Sequence, residues 1–578
     1  MNIKDALSTF QFGKKEVSRN SLLTPWGEKL DPDHVLTEYP RPQMRRSSFT
    51  ILNGYWEYAI TESPRPPQVF DGKILVPFSP ETTLSGVGRQ LMPEEYLWYR
   101  RKIRIDAVPE SKRLFLNFGA VDEEAAVFLN GIMVKEHSGG YLSFSAELTD
   151  AVKEGVNILS IRVRDSSDTS WKNRGKQKLA PGGMFYTAQS GIWQTVWLEW
   201  TPVDFIRELK ITPLFDSGDV RITVFTSSFI PAEITVCGIS AKAVSGKPCL
   251  IHIKELHPWS PEDPFLYPVV IKAGEDTVYS YFAMRKYSVA QDKKGISRLF
   301  LNNKPYFQNG VLDQGYWSDG LYTAPSDEAL VNDILSMKAL GFNMIRKHLK
   351  IESMRWYYHC DRLGMIVWQD MLNGGGRSLM TFLLYLPTAL PFVTSQFSDR
   401  NYPLFSRTSA KGRRSWLLEC RETIHQLYNC PCIGLWTAFN EGWGQFDALK
   451  VTAKIKSWDS TRPVDHASGW YDQGGGDVKS LHNYFRALKI KPEARPFCFS
   501  EYGGLSCHIT GHSWSSQDFA YTKFKNPEEL KKAFFSLREK ILKLKDEGLA
   551  AAVYTQVSDV EEEINGILTF DRKINKLI

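Results

Sequence analysis

Two glutamates stand where apolar runs end: Glu441 after IGLWTAFN and Glu501 after PFCFS. Two carboxyl groups converging on one pocket are what glycosidic bond cleavage requires. One protonates the leaving oxygen, and the other attacks the anomeric carbon or activates water. Taken singly, a carboxylate at a strand end suits a salt bridge or a helix cap equally well, so the matched pair says more than either member. Asn440, beside Glu441, is placed to donate a hydrogen bond to a sugar hydroxyl, and Gly503-Gly504 lets backbone or substrate come close to Glu501.

The elements that must hold these residues begin at about Ser288, where the hydrophobic period changes. Strand-like runs (KPYFQNGVL, FNMIRKHL, MIVWQDM, IGLWTAFNE, PVDHASGW, VKSLHNY, PFCFSEYGG, AAVYTQVSD) alternate with helical ones such as SDEALVNDILSMKALG. Ser326 sits where an N-cap belongs, Asp327 and Glu328 favour the first turn, and Gly341 stops the helix. Strand-helix repetition over 288–578 predicts a (β/α)8 TIM barrel, whose strand C-termini line the active face. The units near residues 463, 478 and 497 lie too close together for full helices, which predicts an irregular side. The chain ends at Ile578 soon after its last strand, so no complete eighth helix is expected.

Ahead of the barrel the pattern is all β. Short runs from Gly54 to Trp200, broken by turn signals, predict a jelly-roll sandwich within residues 1–202, with a two-residue hairpin at Asn130-Gly131. Residues 203–287 suit a small immunoglobulin-like β-sandwich of seven strands. The expected architecture is therefore multidomain.

Composition excludes several classes. Among 578 residues, 71 Lys plus Arg against 65 Asp plus Glu leave a charge of +6 and no basic run, so nucleic-acid binding has no electrostatic footprint. The N-terminal MNIKDALSTFQFGKKEV lacks the apolar core of a leader, which points to a cytoplasmic protein. The longest apolar run, Met380 to Val393, carries two prolines and is too short to span a bilayer, so no membrane partner is expected; a packed loop or helix pair is. Eight scattered cysteines, with only Cys430-Pro-Cys432 close, read as reduced structural thiols. The 17 Trp make aromatic platforms for a flat ligand plausible, and Trp443 and Trp470 are the candidates.

The sequence resembles glycoside hydrolase family 2, the family of β-galactosidases, β-glucuronidases and β-mannosidases. LWYRRKIRI (97–105), NFGAVDEEAAVFLNG (117–131), HSGGYLSF (137–144), SGIWQTVWLEW (190–200), HPWSPEDPFLY (257–267), GFNMIRKHLKIE (341–352), LWTAFNEGWG (435–444) and FSEYGG (499–504) carry the resemblance. It implies Glu441 as acid/base and Glu501 as nucleophile of a retaining exo-β-glycosidase, with their carboxyl groups roughly 5 to 5.5 Å apart. Tyr484 and Arg346 are implied to hold the nucleophile, keeping Glu501 ionised while Glu441 is raised. Asp370 is placed to meet sugar hydroxyls, and Asp122 resembles the sandwich aspartate that reaches the subsite in some members. His348 is open between a substrate contact and a structural histidine, because only Lys347 separates it from Arg346, one residue fewer than the family pattern has.

Glucuronide-cleaving members carry Asn-x-Lys before a Gly-Ile-Phe-Thr-x-Asp-Arg run. This chain has Gly566-Ile-Leu-Thr-Phe-Asp571-Arg572 preceded by Glu563-Ile-Asn565, and an acid there would repel a uronate. A neutral sugar, galactose first, is the expectation, with β-glucuronidase as the alternative. A carbohydrate partner, no cofactor and no essential metal are expected. The unmatched segment 374–421 leaves two roles open: restricting the aglycone, or a contact in a homo-oligomer. A non-catalytic carbohydrate-binding protein is the competing class. A metal hydrolase using His348, His466, His482 and Asp370 is a third.

Overall fold

The computed structural model describes residues 21–376, 379–491, 493–516 and 518–578; the N-terminal stretch read for a leader lies outside them. In the first sandwich a six-stranded antiparallel sheet runs in the order Gly72–Val76, Gly54–Thr61, Tyr96–Ile105, Gly155–Arg164, Glu124–Leu129, Ile132–Ser138. It packs on a four-stranded sheet of Phe49–Ile51, Val196–Pro202, Lys112–Phe118 and Phe144–Glu147. Along Gly155–Arg164 the buried positions are Asn157, Leu159, Ile161 and Val163, the period of two that puts alternate side chains on one face. The three apolar ones share a core with Leu114, Leu116 and Phe118 of the other sheet. The hairpin forms at Asn130-Gly131, with φ of 53° and 84° and Leu129 paired to Ile132.

Seven strands follow in two sheets: Ile206–Leu214, Asp219–Thr226 and Pro248–His252, against Ile239–Ala243, Ala232–Val236, Tyr267–Ala273 and Asp276–Phe282. Strand-helix alternation does not start at once. Tyr287–Gln291, Ser297–Leu301 and Lys304–Pro305 make a small antiparallel sheet first, because its runs are separated only by tight turns at Gly295 and at Asn302-Asn303, all with positive φ.

The barrel strands are β1 Gln308–Asp313, β2 Met344–Lys347, β3 Ile366–Asp370, β4 Ile433–Thr437, β5 Val464–Asp465, β6 Lys479–Asn483, β7 Phe497–Gly503 and β8 Leu549–Thr555. They pair in parallel in the order β5-β4-β3-β2-β1-β8-β7-β6. Every residue of β1, β3, β4, β7 and β8 is buried, as expected of parallel strands covered on both faces. The helix Asp327–Ala339 starts where Ser326 Oγ accepts from the Ala329 amide, and Gly341 lies just beyond its end with φ 81°. The expected irregularity sits at β5 and β6: β5 has two residues, and among the described residues no ladder joins it to β6.

The apolar run folds as short turns, Thr381–Tyr385, Leu386–Ala389 and Pro391–Gln396, followed by the helix Ala410–Leu427 capped by Ser409. After β8 the chain runs through turns and isolated bridges to Ile578, without a further helix. All eight cysteines are free thiols; burial pushes those of Cys430 and Cys432 well up. Among the described residues no helix is long and apolar enough to cross a membrane.

Candidate active site

Arg346, near the end of β2, is completely buried and organises the site. Its Nε and Nη2 donate to the two oxygens of Asp370 at 3.0 and 2.9 Å, a two-pronged bond that fixes the plane of the guanidinium. Nη1 donates to Glu501 Oε1 at 3.0 Å and to the Ser500 carbonyl at 3.0 Å, and Nη2 to Asn440 Oδ1 at 2.8 Å. One cation thus ties the ends of β3 and β7 to the loop after β4. With Asn440 Oδ1 committed to Arg346, its amide NH2 is the end left for other partners.

Glu501, on β7, is 3% exposed. Burial by itself raises its carboxyl, but the charges of His482 and Arg346 outweigh that and bring it down to about 2. Tyr484, one residue past β6, donates its hydroxyl to Glu501 Oε2 and stacks flat on Tyr521, ring centres 4.1 Å apart. Burial and the Glu501 charge push the Tyr484 phenol well up, so it stays a donor.

Glu441 takes φ 53°, a left-handed conformation uncommon for a side chain with a Cβ. The Glu441 amide donates to the Ser468 carbonyl at 2.9 Å, and Asn440 bridges to Ser468, so the turn after β4 is laced to the one after β5. This turns the carboxyl inward. Oε1 meets His482 Nδ1 at 2.8 Å, and Trp443 Nε1 donates to Oε2 at 3.4 Å. A carboxyl oxygen of Glu441, a ring nitrogen of His482 and a carboxyl oxygen of Glu501 all lie within 4.8 Å of one another.

The remaining expected residues divide. His348 reaches the same cluster, its Nδ1 on Asp370 Oδ2 at 2.7 Å; its buried Nε2 has no partner among the described residues, and burial lowers its affinity for a proton. Trp443 lines a small cavity with Asn440, Lys176, Lys178, Phe185 and Leu349. Trp470 is 8% exposed, packed with Leu383, Phe405 and Tyr471, its ring 5.5 Å from that of His482.

Asp370, expected at sugar hydroxyls, corrects otherwise. Its two oxygens are taken by Arg346 and His348, so it orients those groups from a position 1% exposed. Asp122 is a second correction. It lies against Gly140 and clusters with Glu123 and Asp165, carboxyl oxygens within 4.8 Å, apart from the Glu441–Glu501 cluster. The proposed metal set does not converge either. His466 is tied to Asp472 at 3.0 Å, and His348, His466, His482 and Asp370 form no common cluster among the described residues.

Three features escaped the sequence. His482 was weighed only as a metal ligand, although it lies two residues before Tyr484 and alternation along a strand puts both on one side. Lys176 comes from the first sandwich, and no local pattern places it in the barrel pocket. The third concerns the partners of Glu563: it accepts from the Tyr186 hydroxyl and from Asn565 Nδ2 at 3.0 Å. Its neighbours grip the same sandwich loop, Glu562 accepting from the Gly183 amide at 2.8 Å and Glu561 from the Thr187 amide at 3.0 Å. A cavity of about 750 Å³ lies elsewhere, among His137, Trp171, Glu208, Arg355, Glu419 and His425, and touches neither Glu441 nor Glu501.

Comparison with known proteins bears on this arrangement. Residues 76–202 match the glycosyl hydrolase 2 galactose-binding domain-like family, and residues 293–574 match the TIM barrel domain of glycosyl hydrolases family 2. A putative β-glucuronidase of Formosa agariphila is 25% identical over 447 residues, 72% of this chain and 51% of that protein. A β-galactosidase of Thermoanaerobacter pseudethanolicus is 23% identical over 437 residues, 70% of this chain and 54% of that protein. The matched part thus spans about half the length of these two relatives. The solved structure of a β-glucuronidase from an uncultured Clostridium shares the fold, with TM-score 0.71 at 18% identity over 93% of this chain and 97% of that one. With both domain families matched in order and the barrel site assembled at its strand ends, the chain belongs to glycoside hydrolase family 2.

Proposed function

We propose that the protein is a retaining exo-β-glycosidase in which Glu441 is the acid/base and Glu501 the nucleophile. The observation that carries this is the approach of their carboxyl oxygens to within 4.8 Å. That suits the short separation of retaining enzymes, about 5 to 5.5 Å, and leaves no room for the water that inverting enzymes seat between theirs. Glu501, ionised and held on both oxygens, attacks the anomeric carbon as Glu441 protonates the leaving oxygen. Glu441 then takes a proton from water, whose oxygen displaces Glu501 from the sugar. Asn440 and Trp443 border the space where the sugar lies.

Two readings of the sugar each have an observation behind them. Glu563 near the site favours a neutral glycone, galactose first. Lys176 favours an acidic one: it lines the pocket beside Asn440 and Trp443 and has no ion pair among the described residues. The acidity of Glu563 is also a weaker obstacle than its position alone implies, since burial raises its carboxyl and two donors occupy it.

The test is nitrophenol release from aryl β-galactoside, glucoside, mannoside, glucuronide, N-acetylglucosaminide and α-arabinoside. Glu501→Ala should abolish turnover of the accepted sugar, by about 10⁴-fold or more. Turnover of the glucuronide would decide for the acidic reading. Silence on every sugar by a folded protein would return the chain to the binding-protein class.

A further inference from the structure

We propose that His482 is a positioning residue that shares the catalytic proton with Glu441, keeping the acid in its working form at pH values where a lone carboxyl would have lost it. This rests on the assignment of Glu441 and Glu501 above and adds a third member to that pair.

The geometry is specific. The imidazole is fully buried as a side chain and spans both catalytic carboxyls, with Nδ1 2.8 Å from Glu441 Oε1 and Nε2 3.4 Å from Glu501 Oε1. Nε2 also lies 3.2 Å from Ser468 Oγ and 3.5 Å from Arg346 Nη1. The ring cannot drift. Gly469, at φ 89°, lies so close that a Cβ there would come within 2.8 Å of three ring atoms, and Trp470 covers the ring from the side.

Charged groups reach this ring from three elements. Glu441 comes from the turn after β4, Glu501 from β7 and Arg346 from β2; the neutral Tyr484 lies just past β6, and the neutral Ser468 after β5. Two carboxylates against one guanidinium leave the surroundings net negative, which favours a proton on or beside the imidazole. A single proton bridging Nδ1 and Oε1 belongs to the pair rather than to either residue. A carboxyl alone ordinarily releases its proton near pH ~4, an imidazole near ~6.5.

In the first step that proton leaves Glu441 for the glycosidic oxygen as the bond to the anomeric carbon breaks and Glu501 bonds in its place. In the second, water gives one proton back to Glu441. Its oxygen bonds the anomeric carbon, and Glu501 departs as a carboxylate. The inventory of protons closes over one turnover with no outside acid.

The experiment compares wild type with His482→Asn and His482→Gln on β-glycosides of the accepted sugar bearing either a dinitrophenyl or an alkyl leaving group. Dinitrophenolate departs without protonation. The expected result is a loss of about 10²-fold in kcat/KM on the alkyl glycoside, under tenfold on the dinitrophenyl one, with the alkaline limb of the alkyl profile moved down by about one pH unit. Equal losses on both substrates with an unmoved alkaline limb would overturn the proposal while leaving the Glu441 and Glu501 assignment intact. That assignment fails separately, if Glu501→Ala retains turnover. Should neither variant fold, ¹⁵N-histidine spectra decide: one imidazole should titrate at a different pH in wild type than in Glu441→Gln, and identical titrations for every histidine would sink the idea.

Discussion

Two groups of buried acids in this chain have opposite fates. In the barrel, Glu501 and Asp370 are 3% and 1% exposed, and both carboxyls are held below their ordinary range. In the first sandwich, Asp165 is also 3% exposed, yet burial followed by the nearby Glu123 pushes it up to about 7, and Asp122 is raised well above its usual value by burial and by Asp165. Depth is therefore not what separates them. Arg346 enters the barrel group with all three of its nitrogens bonded, whereas the sandwich cluster has Lys172 on Glu123 at 2.8 Å and, among the described residues, no cation bonded to Asp122 or Asp165. Of these two groups, the acids held ionised are the ones with a cation buried beside them.

The comparison can be broken from the barrel side. Arg346→Met should leave Glu501 in the condition of Asp165, with kcat/KM down about 10³-fold or more and its acid limb shifted upward. Wild type should hold that limb low, because Glu501 stays ionised down to about 2. A variant with wild-type acid limb would show that the charge of Arg346 is not what sets Glu501. Tyr484→Phe removes one neutral donor and keeps the stacked ring, so a smaller loss is expected, about 10²-fold, with a slighter upward shift in the same profile.

The smallest effect lies in the sandwich. Asp165 has a raised proton affinity in the fold, so its contribution is full below the ordinary carboxylate range and is lost as pH rises through about 7. Asp165→Asn keeps an oxygen for the Ser167 amide and should flatten that decline. The gap in Tm between pH 5 and pH 8 should narrow by about 2 °C, read by differential scanning calorimetry.

Sequence made the two glutamates legible because the runs IGLWTAF and PFCF are apolar, so the polar residues that end them, Asn440-Glu441 and Ser500-Glu501, stand out. The crowded spacing near 463, 478 and 497 likewise foretold the seam at β5 and β6. Asp370 was correctly placed but its partners were not, since whether a carboxylate meets sugar or guanidinium depends on side-chain reach across β2 and β3. For Asp122 likewise, position in a motif says which strand carries it but not that Glu123 and Asp165 crowd its carboxyl. Lys176 could not be read at all, because its place in the pocket is set by contacts more than two hundred residues away in sequence.

The three consecutive glutamates Glu561, Glu562 and Glu563 grip Thr187, Gly183 and Tyr186 across separations of 374, 379 and 377 residues. On a ribosome adding about 5 to 20 residues per second, the sandwich loop waits roughly 20 to 75 seconds for its fasteners to be made. During that interval the sandwich can close its own core while the segment 183–187 still lacks its partners from the end of the chain. The last fasteners of the pocket wall thus arrive at the end of synthesis, and a chain lacking residues 556–578 would keep Glu441 and Glu501 but lose the three carboxylates that hold segment 183–187.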